Sequence, residues 1–238
     1  LKLKYISGII NPSAFTEHQI QLAKTISQDT FTSLGKVLKH MDPKRVTERI
    51  KKMPEDGAPA IKPPRATKED TALAASIAAL PAEETQIFLT LPSTQAGLLS
   101  LVRVLLAHKK KDFQVLVLVP DILLLEQALS LLTTLAPKET SSVAVLHSHR
   151  SAGAYYTAWQ NIQNGSAQII LATRHGIFAP FKNLTTIFHI EPSDDAYKQW
   201  DMSPRYQTSV AVDTLLELTG ARLFSVGTLP FAEAVTLG

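Results

Sequence analysis

Cysteine is absent from the 238 residues, which excludes a disulfide framework and any cysteine-ligated zinc site. Aromatic residues are scarce, at 7% with two tryptophans, so a ring inside a polar loop calls for an explanation. No apolar run reaches membrane-spanning length, and no basic-then-apolar leader is present. Charge of one sign is not in large excess. The net charge of +3 and a pI near 9.0 make a mildly basic chain, compatible with a nucleic-acid partner without requiring one. What the chain does have is 45% hydrophobic residues, which suits a packed core and argues against disorder. Its length fits one good-sized domain plus a small one. With Leu1 rather than Met at its start, the chain reads as a fragment or truncated protein, expected to be soluble and cytoplasmic.

Taken in order, residues 1–43 form a small unit. A strand is expected over 3–10, followed by a turn. Thr16 is a good N-cap with Gln19 three positions on, which is a capping box, and Phe15 with Ile20 is spaced as a hydrophobic staple. Ile20, Leu22, Ala23 and Ile26 recur at helical spacing. A second short helix is expected over 36–40, after Gly35. Residues 44–66 are rich in Pro, Gly and charge and read as a linker. The basic cluster Lys44, Arg45, Arg49, Lys51 and Lys52 could touch phosphates, but a solvated helix face is the preferred reading.

Residues 67–238 alternate helical and strand periods, the mark of a doubly wound α/β domain. Helices are expected from Thr67 to Leu80, over 93–108, after Asp121, through Tyr155, Trp159 and Ile162 to Gly165, and over 209–219 up to Gly220. Strands are expected over 86–91, 113–119, 143–147, 168–172, 185–190 and 222–226. The run over 113–119 is almost continuously apolar, as a strand covered on both faces should be. Trp159 belongs to the core by its spacing.

Two loops draw the eye, each following a strand of the α/β domain. The first carries Thr173, Arg174, His175 and Gly176. The second carries Tyr197, Lys198, Trp200, Arg205 and Tyr206. Ligands of open α/β sheets bind at the carboxyl ends of the strands, so both loops fall where binding is expected. Trp200, between Lys198 and Arg205, has little packing reason to be there. His147 and His149 could bind a metal from one strand end, and Glu191, Asp194 and Asp195 could suggest a cation site. A structural histidine and a solvated loop are the preferred readings of these two groups.

The stretch GSAQIILATRHGIFAPFKNL, followed by DDAYKQ and PRY, resembles the first motor lobe of the primosomal protein N′ family of replication-restart DNA helicases. That family typically reads G-x-A-x-I-V-I-G-T-R-S-A-L-F-A-P-F-x-N-L, an acidic D-E-E-H box, D-x-S-Y-K-Q and P-R-Y. VLVLVPDILLLEQ and VLHSHRS are similar to further segments, the latter keeping His147 and Ser148. SLGKVLKHMDP resembles the end of the family's N-terminal DNA-binding domain. The resemblance implies a RecA-like, P-loop-type lobe with a mostly parallel sheet over 67–238. It also implies that 1–43 is a remnant of the DNA-binding domain.

Departures from the family fall in the nucleotide site. A phosphate-binding loop needs glycines, a Lys for the terminal phosphates and a hydroxyl for Mg²⁺. Aligned with it, this chain offers Ser93, Thr94, Gln95, Ala96 and Gly97, with Ala96 for the Lys and Gly97 for the hydroxyl. The acidic box aligns with Ile190, Glu191, Pro192 and Ser193, so the metal-binding carboxylate is an isoleucine. Phosphoryl transfer depends on positioning and charge neutralisation, so neither ATP nor Mg²⁺ is expected to bind, and no catalytic residue or metal site is expected. The expectation is a DNA-binding protein of replication restart or repair without ATPase activity. Its DNA, single-stranded or forked, would be contacted by Arg174, Lys198, Trp200, Arg205, Tyr206, Tyr197, His147 and Ser148. Replication-restart or single-strand-binding proteins are the expected protein partners. An ATP-dependent helicase with an unusual nucleotide site and a protein-interaction scaffold are the alternatives.

Overall fold

A computed structural model describes residues 15–43, 84–91, 98, 102, 113–200 and 202–228. The expected strand over 3–10, the linker over 44–66, the helix over 67–80 and the loop positions 93–97 lie outside the described residues. Among the described residues the order is α1 (Glu17–Asp29), α2 (Leu34–Met41), β1 (Gln86–Thr90), β2 (Gln114–Leu118), α3 (Ile122–Leu135), β3 (Val143–Leu146), α4 (Ala152–Asn164), β4 (Ile169–Ala172), β5 (Leu184–Ile190), α5 (Thr208–Thr219) and β6 (Arg222–Gly227). Leu98 and Val102 are helical and buried. Gly35 lies inside α2 rather than before it. That helix begins after Ser33, two residues earlier than expected.

The six strands form one sheet in the order β1-β6-β5-β2-β4-β3. Every neighbouring pair is parallel, so the sheet is wholly rather than mostly parallel. All six carboxyl ends therefore share one edge. Alternation along the strands divides the core in two. Leu116 and Leu118 of β2 face one cluster with α1, α2, α4 and α5, while Val115 and Val117 face another with α3, Leu98 and Val102. Trp159 is buried in the first cluster.

Local sequence accounts for the helix ends. Thr16 and Gln19 form the reciprocal capping box at the start of α1. Asp121 caps α3 by accepting from the Leu124 N–H. Gly165 and Gly220 close α4 and α5 in the left-handed conformation that glycine adopts without cost.

Tertiary contacts add what capping could not show. The Gln19 side chain also donates to the Phe178 carbonyl at 2.7 Å, and His18 meets the Ala179 carbonyl at 3.3 Å. Helix α1 is thereby seated on the FAPF turn. Leu22, Ala23 and Ile26 of α1 and Val37 and Met41 of α2 share the core that contains Phe178, Tyr206, Ala211 and Leu215. The described part of residues 1–43 thus packs as part of the lobe. At the opposite edge Gln114 is buried with its amide fully used. It donates to Ile162 and Ala167 carbonyls and accepts from the Lys182 and Asn183 N–H groups.

Candidate nucleic-acid interface

The loop after β4 begins with Thr173, whose N–H reaches the Leu146 carbonyl of β3. It then tightens into a 3-10 turn, Arg174–Phe178. Here the backbone passes so close to β4 that a Cβ on Gly176 would overlap that of Ala172. The family pattern has these residues the other way round, Gly at 172 and Ala at 176. One methyl group fits between strand and turn, and this chain places it on the strand.

Arg174 is half-buried. Its Nη1 donates to the Ala196 carbonyl at 2.8 Å and the Lys198 carbonyl at 3.3 Å. Nη1 thus holds the neighbouring loop, a structural role that the expectation of a phosphate contact did not include. His175 is held as firmly. Its Nε2 lies 3.0 Å from the His40 carbonyl and must carry the proton, so Nδ1 accepts the Tyr155 hydroxyl at 3.0 Å. Burial first, and then the nearby His40 ring and Arg174 charge, push the His175 pKa down to about 4. The ring is neutral at physiological pH and ties α2 and α4 to the turn. His40 itself is lowered, mainly by burial and further by Arg174. Nothing in the sequence pointed to Tyr155 or His40, because both contacts join segments remote along the chain.

The loop after β5 opens at Glu191, a non-glycine residue in the left-handed region at φ 49°. Its N–H donates to the Val226 carbonyl, and its carboxylate accepts from the N–H and hydroxyl of Thr228 at 3.3 and 3.5 Å. The preceding Ile190 is 1% exposed and packed in the cluster with Val226 and Leu98. Asp194 then caps a short turn by accepting from the Ala196 N–H.

Tyr197 and Tyr206 are 2% and 4% exposed, so neither ring offers a face to a base. This corrects their expected role. Tyr197 donates its hydroxyl to the Ile190 carbonyl at 2.8 Å, and its own carbonyl accepts the Thr208 hydroxyl at 2.7 Å. Tyr206 packs edge-on against Phe178 and His40. Burial, as the leading cause, raises both phenol pKa values. Between these anchors Lys198 pairs with Gln207 in an antiparallel bridge, and the Gln199 N–H reaches the Tyr206 carbonyl at 3.0 Å. The chain between these rungs is thrown outward. Trp200 is 64% exposed at this tip, with the Lys198 ammonium 5.6 Å from the ring centroid. Met202 and Arg205 are exposed on the same tip. Lys198 also pairs with Asp195 at 2.8 Å, an exposed contact of small energetic weight.

His147 and Ser148 lie at the end of β3, separated from β5 by β4 and β2, so about 14 Å along the sheet edge. Ser148 is exposed and His147 is buried, a correction for the histidine. The His147 Nδ1 accepts the His149 N–H at 3.3 Å, which leaves the proton on Nε2, facing Glu126 Oε1 at 3.6 Å. A metal on Nε2 would need the opposite tautomer, which would set two N–H groups against each other. Among the described residues no group of three His, Cys, Asp or Glu could hold a metal ion.

The result is an all-parallel α/β lobe whose carboxyl edge carries one sealed loop and one open, ring-and-cation loop. No protein-family model matches the chain. Over 124 residues, 52% of the chain, it is 34% identical to the replication restart protein PriA of Synechocystis. It is 38% identical to PriA of Bacillus subtilis over 96 residues, 40% of the chain, and 33% identical to PriA of Chlamydia trachomatis over 122 residues, 51% of the chain. These matches cover 15%, 11% and 16% of the relatives' own lengths, so the chain spans a small part of the proteins it resembles. It carries a region similar to part of PriA. Among solved structures, a DNA-bound ATP-dependent type ISP restriction-modification enzyme, LlaBIII, aligns over 70% of this chain and 13% of its own, at 16% identity and a TM-score of 0.48. No helix among the described residues is long and apolar enough to cross a membrane.

Proposed function

We propose that the chain is a DNA-binding protein of the replication-restart kind that works in the cytoplasm without hydrolysing ATP. The observation that carries this reading is the tip after β5. Its base is hydrogen-bonded on both sides and anchored by two buried tyrosines, and it presents Trp200, Lys198 and Arg205 outward. An exposed ring flanked by cations suits single-stranded DNA, because every base has a face to stack and every nucleotide a phosphate. The similarity to PriA supports replication restart as the setting. The DNA is proposed to be single-stranded or forked, with other restart or single-strand-binding proteins as partners.

The absence of ATP hydrolysis is supported by Ile190, an apolar core residue where a motor lobe needs a metal carboxylate. It is supported further by Ala96 and Gly97 in the loop sequence. Glu191, at the position of the water-activating Glu, is engaged with Thr228. ATP and Mg²⁺ are therefore proposed not to bind.

One preparation tests both halves. Single-stranded oligonucleotide should quench or shift Trp200 fluorescence and bind with an affinity that falls as salt rises. Mg²⁺-ATP should leave the melting temperature where Mg²⁺ alone leaves it, since a ligand of the native state would raise it. A rise with Mg²⁺-ATP would favour an ATP-dependent helicase with an atypical site. No binding of DNA in any form would favour a protein-interaction scaffold.

A further inference from the structure

The turn between α1 and α2 carries a residue that the fold does not need. Helix α1 ends in a Schellman arrangement, with the Thr32 N–H on the Ser27 carbonyl and the Phe31 N–H on the Gln28 carbonyl. The position between, at φ 51°, belongs by preference to glycine. Phe31 occupies it with a ring that is 98% exposed. Left-handed backbone on a bulky residue is strained, and an apolar ring in water gains nothing from burial. Both features cost stability, and neither is offset by a contact within the lobe.

The ring stands beside the tip already described. The Thr32 hydroxyl meets the Ser203 hydroxyl at 3.2 Å, joining the α1–α2 turn to the 200–205 segment. By chain reach, Phe31 and Trp200 lie within about 20 Å of each other. A cavity of about 240 Å³ opens between α1 and α5, lined by Asp29 and Thr30, next in the chain to Phe31, and by Arg205 of the tip. No hydrogen bond or ion pair to a described residue engages Arg205, and it does not pair with Asp29. Exposed Met202 and Leu34 complete the apolar part of the strip.

We propose that Phe31 is a second stacking platform for single-stranded nucleic acid, with Arg205 holding the phosphate between Phe31 and Trp200. This rests on the DNA-binding reading of the Trp200 tip. Exposed rings with Arg205 beside them fit a nucleic-acid strand better than an apolar protein surface, which would leave that cation without a counter-charge. The Asp29 carboxylate repels a phosphate but accepts from a base N–H, so the backbone runs on the Arg205 side and the base on the Phe31 side.

The test compares Phe31→Gly and Phe31→Trp with the parent, using fluorescently labelled single-stranded oligothymidylate long enough to span both rings. Phe31→Gly should raise the melting temperature, because it relieves the left-handed strain, and should weaken binding about five-fold or more. Phe31→Trp should keep parental affinity. A residue that merely packs would lower the melting temperature when replaced, and that result overturns the proposal. So does a Phe31→Gly protein that binds like the parent, in which case the exposed ring is left for a protein contact. A parent that binds oligonucleotide and loses it only in Trp200→Ala would keep the DNA-binding reading and sink this one. A parent that binds none would sink both.

Discussion

The loop after β4 and the loop after β5 each combine an arginine with rings that could stack or hydrogen-bond, and both leave the same edge of the sheet. In the first, every such group is turned inward. Arg174 holds two carbonyls of the neighbouring loop, His175 bridges Tyr155 and the His40 carbonyl, and Gly176 lies against β4. In the second, the inward groups are confined to Tyr197 and Tyr206, and the chain between them projects Trp200 and Arg205. The cations differ because of the carbonyls around them. Ala196 and Lys198 present half-buried carbonyls, and Arg174 is the donor within reach. The tip has no such debt, since its two rungs already pair its ends.

Acid should separate the two loops most strongly. His147, His175 and His189 are each held at about 4 in the folded chain against an ordinary 6.5, with burial as the leading cause in each. Between those values the unfolded chain binds more protons than the folded one. Stability is therefore fully present above pH 6.5 and falls as pH drops toward 4. Denaturant titrations at a series of pH values should show that slope, and a flat profile across the window would refute the neutral, sealed loop.

Gly176→Ala should come next, destabilising by about 3 kcal/mol, because a second methyl has no room beside Ala172. Ala172→Gly in the same chain should restore much of the loss, and a double-mutant cycle measures the coupling. Additive effects would show that the two methyls do not compete.

Arg174→Ala should cost about 2 kcal/mol, since it leaves the Ala196 and Lys198 carbonyls without their charged donor. It should also weaken DNA binding, because the tip loses its underpinning. Urea denaturation and oligonucleotide titration on the same variant check both. A variant as stable as the parent that still loses DNA would restore Arg174 as a direct contact.

Trp200→Ala should have the smallest effect on the fold, within about 0.5 kcal/mol, as expected of an exposed position. It should nonetheless weaken oligonucleotide binding by about tenfold. Trp159 fluorescence should stay unchanged on adding DNA, since that ring is in the core. Unfolding of the Trp200→Ala protein would make the tip structural.

Fold class, the six strands and the helix ends at Thr16, Asp121, Gly165 and Gly220 were legible in the sequence. Each depends on a short-range rule: alternation, helical spacing, a capping side chain or a glycine in the left-handed region. The exposure of Trp200 was legible too, because a ring among charges has little apolar surface nearby in the chain to pack on. Tyr197 and Tyr206 were not, since the oxygen that Tyr197 donates to and the rings that Tyr206 meets belong to β5, α2 and the FAPF turn. Arg174 looked like a phosphate ligand because it is a cation in a loop after a strand and because the family resemblance implies a place on the DNA track. Only the folded chain brings Ala196 and Lys198 within its reach. The same holds for Phe31, unremarkable as a letter and conspicuous once its backbone angle and exposure are known. Local rules determine where elements begin and end. Which polar group is consumed inside, and which remains free to meet a ligand, depends on carbonyls and rings delivered by distant segments, and that is decided by packing.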